Sequence, residues 1–249
     1  FSGGRKSILP GISSVKTLEF MHGPEMVAHP QTRYGVLDGN PFHEAGLAIM
    51  AKAGADFIVN VTLDTSKRVT GVFSGHPVNA HLAGVKFLSQ HCMKVLDAPL
   101  DFVVTTNSGA PLDCNLYQTA KGLSGVAAAT RDGGVILIAS ECPEGFGSDE
   151  YQEVFEYATS PQEFIDKVMN KEFFVPDQWC AQETYQVMTK KEVWLHTSGI
   201  AAETLRRFHF HPVGNISEAI QQLLERFGQD ARWAIVPDGP MLILDVNSR

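Results

Sequence analysis

The stretch "LDFVVTTNSGAPLDCNLYQTAKGLSGVAAATRDGGVILIASE", residues 100–141, carries the pattern on which the fold turns. It opens on an apolar, β-branched run that ends in a polar loop. From Asn115 it takes helix-like spacing, and it closes on a second apolar run, "GGVILIASE". Strand, loop, helix and strand in that order make a βαβ unit, which predicts a parallel sheet with its working residues at the carboxyl ends of the strands. The alternation continues downstream through "EVWLHTS", a helix over Ile216–Phe227 and "RWAIVPDG". The expected fold class is therefore α/β, with βαβ units and a mostly parallel sheet in a C-terminal, substrate-side domain over residues 97–249.

Upstream of that domain the pattern changes. Residues 30–41 are turn-rich, and residues 43–55 carry helical spacing of Leu47, Ile49 and Met50 that ends at Gly54. "DFIVNVTLD" reads as a buried strand, and "TSKR" reads as the turn of a hairpin to "VTGVFSG". Pro77 suits the first turn of a further helix that reaches about Cys92. Residues 1–96 are thus expected to be a mixed α/β remainder of an upstream domain. No internal repeat or low-complexity tract is visible.

Composition narrows the function classes. With 249 residues, 44% apolar and 19% charged, the chain can bury a core, and without a long apolar run it is expected to be soluble and to lack a membrane span. A formal charge of −8, with basic residues only in short pairs such as Lys190-Lys191 and Arg206-Arg207, argues against a nucleic-acid partner. Cys92, Cys114, Cys142 and Cys180 are widely spaced with no C-x-x-C pair, so reduced thiols and a cytoplasmic location are expected.

Several familiar motifs fail on spacing. "GGRKS" lacks the glycine that a phosphate-binding loop needs before its lysine, and "GFGSDE" lacks the third glycine of a dinucleotide fingerprint. "GLSG" around Ser124 is not a nucleophile elbow, and "HEAGL" at His43 has no second histidine for a zinc site. A glycine pair, Gly3 and Gly4, just before Lys6 would let a bulky ligand lie against the backbone beside an amine, although spacing alone favours a solvated loop lysine. His22 reads as a metal ligand or as a hydrogen-bonded structural histidine. Gln118 and Lys121, three apart on the helix after the first strand, share a face suited to a small carboxylate, or form an ordinary polar helix face. His209 and His211 in "HFH" would lie on one side of a strand, with no third ligand evident. "CPEG", residues 142–145, is a site loop or only a turn.

Taken together, "FSGGRKSILPGI", "FMHG", "DFIVNVTLD", "VFSGHPVNAHLAGV", "NLYQTAKGL", "DGGVILIASECPEGFG" and "DQWCAQ" resemble the nickel-dependent lactate racemase family from residue 1 to about residue 182. The resemblance implies a nickel pincer nucleotide, a pyridinium mononucleotide whose two sulfur-bearing arms hold nickel. Lys6 falls on the lysine joined to one arm as a thioamide, and His22 falls on the histidine that completes the metal's square plane. Gly3, Gly4 and Trp179 are placed with Lys6 among the cofactor-binding residues, Trp179 as the tryptophan beside the bound substrate. Gln118 and Lys121 fall on the substrate-contacting, catalytic pair.

The activity implied is racemisation or epimerisation of a small 2-hydroxy acid, lactate or a relative, by hydride transfer to the cofactor while a histidine takes the hydroxyl proton. The family's acid/base histidines and several phosphate contacts lie upstream of the G-G-x-K stretch. The chain is accordingly expected to act as the C-terminal part of a longer enzyme, with an upstream N-terminal segment and the cofactor-synthesis enzymes as partners, and to be inactive as an isolated fragment. A racemase for another 2-hydroxy acid and a non-catalytic binding or assembly fragment are the alternatives.

Overall fold

In the computed structural model, Phe1 and residues 3–246 are described. Chain contacts divide the molecule into a unit from Phe1 to Met93 and a unit from Lys94 to Arg249.

The first unit begins with a single 3-10 turn, Gly4–Ser7. Two short helices follow. Helix α1, Val15–Met21, is capped by the Ser14 hydroxyl, and α2, Pro24–Ala28, has proline at its first position. Helix α3, Pro41–Ala53, starts where the Asn40 side chain accepts from the Phe42 and His43 N–H groups. It stops at Gly54, which takes φ +76 and returns its N–H to the Met50 carbonyl. Strands β1, Ile58–Leu63, and β2, Val69–Gly75, form an antiparallel hairpin, its turn tied by Asp64 Oδ1 accepting from the Ser66 and Arg68 N–H groups. Helix α4, Pro77–Cys92, packs on the hairpin.

Strand β1 corrects the expectation of a buried strand. Val59 is 63% exposed and Val61 and Leu63 are each 49% exposed, whereas Thr62 is buried. Polar chemistry holds the inner face: the Thr62 and Thr70 hydroxyls lie 2.9 Å apart, and Asn60 Oδ1 accepts from the Gly4 N–H at 3.3 Å. Alternation in the sequence identifies a strand, but which face is covered depends on what packs there.

Strand β3, Met93–Leu96, starts at the boundary, and the second unit continues with β4, Leu100–Thr106, α5, Leu116–Ala127, and β5, Thr130–Ala139. Three helices follow, α6, Asp149–Val154, α7, Pro161–Met169, and α8, Gln178–Met188. The chain ends through β6, Glu192–His196, α9, Ala202–Arg207, β7, His211–Pro212, α10, Ile216–Phe227, β8, Trp233–Val236, and β9, Ile243–Val246. Strands β7, β6, β5, β4 and β8, in that spatial order, form a five-stranded sheet whose neighbours are all parallel. Strand β9 pairs with β3.

Both faces of the parallel sheet are covered, which is why its strands read as nearly continuous apolar runs. Val103, Ile136, Ile138, Val193 and Leu195 share one core with Leu123 of α5 and Tyr185 of α8. The alternate residues Phe102, Val104, Val135, Leu137 and Trp194 pack instead on Ala219 and Leu223 of α10.

Strand order reverses at β4, between β5 and β8, where an open α/β sheet normally leaves a crevice. Here that end is closed. The Thr105 hydroxyl donates to the Val236 carbonyl at 2.9 Å, the Thr106 hydroxyl donates to the Pro237 carbonyl, and Asn107 bridges to Asp238. Helix α5 then lies so close to the next turn that a Cβ on Gly125 would sit 2.2 Å from the Gly239 carbonyl oxygen. Backbone cannot yield as a flexible side chain can. Gly125→Ala should therefore cost about 1–3 kcal/mol or more of stability by overpacking. A thermal melt matching that of the wild type would show that α5 can shift.

Candidate functional site

In the first unit the glycine pair sits in a tight place. Gly4 takes φ +67, and a Cβ there would lie 3.1 Å from Cβ of His81; one on Gly3 would lie 3.2 Å from Nδ2 of Asn60. The space left by the missing side chains is thus bordered by Asn60 and His81, and the pair fixes the course of the backbone into the turn that carries Lys6. Lys6 itself is exposed in the last turn of that 3-10 segment.

His22 caps the end of α1, and its Nδ1 lies 3.0 Å from the Leu18 carbonyl oxygen. A carbonyl only accepts, so the ring proton belongs on Nδ1 and the lone pair on Nε2. That is the tautomer a metal takes, oriented by the kind of backbone bond that commonly sets metal-binding histidines. The ring also meets Phe42 edge-on at 5.3 Å, which fixes its plane. Among the described residues no group of three or more His, Cys, Asp or Glu side chains converges on a metal position. His22 thus offers a single imidazole donor, which fits a metal-bearing group that carries other ligands of its own.

Behind this turn lie His43, which the sequence offered only as a failed zinc motif, and His81, which sequence reading passed over. His43 and His81 are buried with ring centroids 5.9 Å apart. Burial, then the charges of Arg5 and His81, push His43 from its ordinary 6.5 down to about 4. The folded state therefore refuses a proton that the unfolded chain accepts. The stabilisation is complete above about pH 6.5 and is lost as pH falls toward 4, by as much as roughly 3 kcal/mol. Melting temperature should drop between pH 7 and pH 5 in the wild type and drop less in His43→Leu; equal slopes would contradict this.

In the second unit, α5 presents the expected pair. Asn115 caps the helix by accepting from the Gln118 N–H at 3.0 Å, and Lys121 Nζ donates to Gln118 Oε1. The pair stands just after the loop that leaves the carboxyl end of β4. Trp179, in the first turn of α8, donates its ring N–H to the Tyr117 hydroxyl at 3.4 Å. Burial raises the Tyr117 phenol above its ordinary value, so it stays protonated at neutral pH. The structure thus joins Gln118 to Lys121 directly, and ties Trp179 to the same helix through Tyr117.

Two further side chains, Ser124 and Glu183, complete the seam between α5 and α8, with the Ser124 hydroxyl 3.4 Å from Glu183 Oε2. Sequence reading missed Tyr117, Ser124 and Glu183. A signal was present: Tyr117 is four residues before Lys121, Ser124 is three beyond it, and Glu183 is four beyond Trp179, so each lies on its partner's helix face.

Two other candidates fare differently. The "HFH" histidines do not share a strand: His209 lies outside β7 at φ +67, and His211 stacks on Trp194 at 4.1 Å. Residues 142–145 form a turn, with the Gly145 N–H donating to the Cys142 carbonyl at 2.8 Å. That turn borders a cavity of about 430 Å³ lined by Glu144, Phe146, Ser148, Asp149, Ile200 and Thr204 among others. The lining includes two acids and no cation, which does not suit a carboxylate substrate, and neither Gln118 nor Lys121 contributes to it.

The family model described as the lactate racemase C-terminal domain matches residues 95–244. A lactate racemase from Thermoanaerobacterium thermosaccharolyticum is 37% identical over 246 residues, covering 98% of this chain and 58% of the relative. One from Lactiplantibacillus plantarum is 32% identical over 241 residues, covering 96% and 57%. The structure of the Thermoanaerobacterium lactate racemase apoprotein superposes with a TM-score of 0.91 at 36% identity, over 98% of this chain and 59% of that one. A Thermotoga maritima protein shares the fold, with a TM-score of 0.71 at 18% identity. The chain thus spans less than three-fifths of the length of the curated relatives it matches.

Proposed function

Because this chain belongs to the lactate racemase family, we propose that it serves the interconversion of the enantiomers of lactate or a close 2-hydroxy acid, with a nickel pincer nucleotide held at Lys6 and His22. The observation that carries the reading is the Lys121–Gln118 pair at the start of α5, an ammonium steadied by an amide on the family's C-terminal domain. When bound, the cofactor would supply an acceptor for the hydride on the carbon bearing the hydroxyl.

The chain's own residues have simpler tasks. Lys121 offers the charge that a substrate carboxylate needs. The amide N–H groups of Gln118 are donors that a carboxylate oxygen can accept from, while its Oε1 accepts a hydrogen bond from the Lys121 ammonium. Anchoring the acid by its carboxylate keeps the planar keto form in place while it turns its other face, so return of the hydrogen yields the opposite enantiomer. Trp179 supplies an apolar plane that limits water near the anchored acid, and its tie to Tyr117 holds the ring in place. Lys6 would hold the cofactor through its amine, and His22 would offer a ring nitrogen to nickel.

The four cysteines are unpaired thiols, which agrees with a reducing compartment such as the cytoplasm. Among the described residues no helix is long and apolar enough to cross a membrane. The reading also includes the remaining length found in the relatives as a partner, and the enzymes that make the cofactor.

The test is lactate interconversion by protein co-expressed with the cofactor-synthesis enzymes, for the 249-residue chain alone and for the chain extended to the relatives' length. The extended, loaded protein should racemise lactate, and the 249-residue chain alone should be far slower. Rapid turnover by the shorter chain would place the proton-handling base within it, at His29 or another of its histidines. No turnover of any 2-hydroxy acid by the loaded, extended protein would overturn the reading.

A further inference from the structure

We propose that Glu183 is a positioning residue that governs the grip of Lys121 on the substrate carboxylate, by presenting or withholding a competing negative charge at the α5–α8 seam. The proposal rests on the reading that Lys121 holds that carboxylate. Its own ground is geometric. Helices α5 and α8 pack against each other, Lys121 and Ser124 are one turn apart on α5, and Glu183 reaches Ser124 from α8 at 3.4 Å. A carboxyl in that place could simply tie two helices together, but a neutral side chain would do so without bringing an acid into a half-covered seam.

The electrostatic surroundings give the acid a variable charge. Burial pushes Glu183 up to about 7, opposed by the Ser124 hydroxyl and by the charge of Lys121. The groups that face it are few. From α5 come Lys121 and Ser124; from α6 comes Tyr151, and from its own helix Cys180, and burial raises both Tyr151 and Cys180 so that they stay neutral. From α7 and β6, which also pack on α8, no titratable group contributes to the shift. Glu183 and Lys121 are therefore the pair whose net charge changes across neutral pH.

The consequence for binding has a definite sign. When Glu183 is ionised, part of the Lys121 charge is already balanced and an incoming carboxylate gains less; when Glu183 is protonated, the full charge faces the substrate. By linkage, a carboxylate bound at Lys121 makes ionisation of Glu183 harder, so binding near neutrality takes up a proton. Affinity should fall as pH rises through the midpoint, by about tenfold for each unit separating the free and bound midpoints.

The experiment is calorimetric titration of the cofactor-loaded, extended protein with L-lactate from pH 6 to 8.5, in two buffers of different ionisation heat. The wild type should show falling affinity with rising pH, and proton uptake. Glu183→Gln should flatten the profile at the tight, acidic limit and abolish the uptake. Ser124→Ala removes a bond that favours the ionised acid, so its midpoint should move upward; this variant serves if Glu183→Gln does not fold. A pH profile unchanged in Glu183→Gln, or a midpoint unmoved in Ser124→Ala, overturns the inference and leaves the role of Lys121 standing. Wild-type affinity in Lys121→Ala overturns both.

Discussion

Lys121→Ala in the loaded, extended protein should weaken lactate binding by about 2–5 kcal/mol, the usual cost of removing one partner of a desolvated charge pair. Such a loss is roughly thirtyfold or more in affinity. The effect is large because the substitution removes the cation that faces the substrate carboxylate. Gln118→Ala should be milder, on the order of 0.5–1.5 kcal/mol, since a neutral amide contributes an ordinary hydrogen bond. Calorimetry with L-lactate checks both. Unchanged binding in the two variants would reduce this part of α5 to a polar helix face of no special use.

Lys6→Ala and His22→Ala should separate two kinds of bond to the same group. Removing the Lys6 amine removes the atom that forms the thioamide, so the covalent adduct should vanish completely and any retained cofactor should come away on denaturation. His22→Ala keeps the amine. The adduct should persist there, while nickel passes more readily to a chelator, because the protein's imidazole donor has gone. Intact mass under denaturing conditions reads the first property, and metal analysis after chelator challenge reads the second. Loss of the adduct in the His22 variant alone would mean that metal ligation precedes the covalent step. Wild-type adduct and nickel in both would make Lys6 and His22 plain loop residues.

The sheet was legible because its strands are covered on both faces. An unbroken run such as "FVVTT" or "VILIA" leaves few other readings once turn signals bound it, and β4 and β5 pair in parallel as expected. The hairpin β1–β2 was legible as pairing but not as burial. Its valines alternate as core residues would, yet the covered side is set by Asn60 and Thr62, whose partners Gly4 and Thr70 are distant or on another strand.

Helix α7 carries a readable start: Ser160 accepts from the Glu163 N–H at 3.2 Å, and Glu163 Oε2 accepts from the Thr159 N–H at 2.8 Å. Phe164 and Val168, four apart and both buried, add the apolar spacing of a helix that the sequence reading left out. The candidate site divides in the same way. Gln118 and Lys121 are one turn apart on one helix, so their meeting follows from helix geometry alone. Glu183 could not be connected to Lys121 in advance, because nothing in residues 121–183 states that α5 and α8 lie side by side; that follows from how both cover the same face of the sheet.

The central claim is that Lys6 carries the cofactor. Peptide mapping by mass spectrometry, on protein co-expressed with the cofactor-synthesis enzymes and analysed for metal in parallel, tests it most directly. The account predicts an adduct of pyridinium-mononucleotide mass on the peptide containing Lys6, with about one nickel per chain as a single site would hold. An unmodified Lys6 in nickel-bearing protein, or the adduct on another residue, would contradict it.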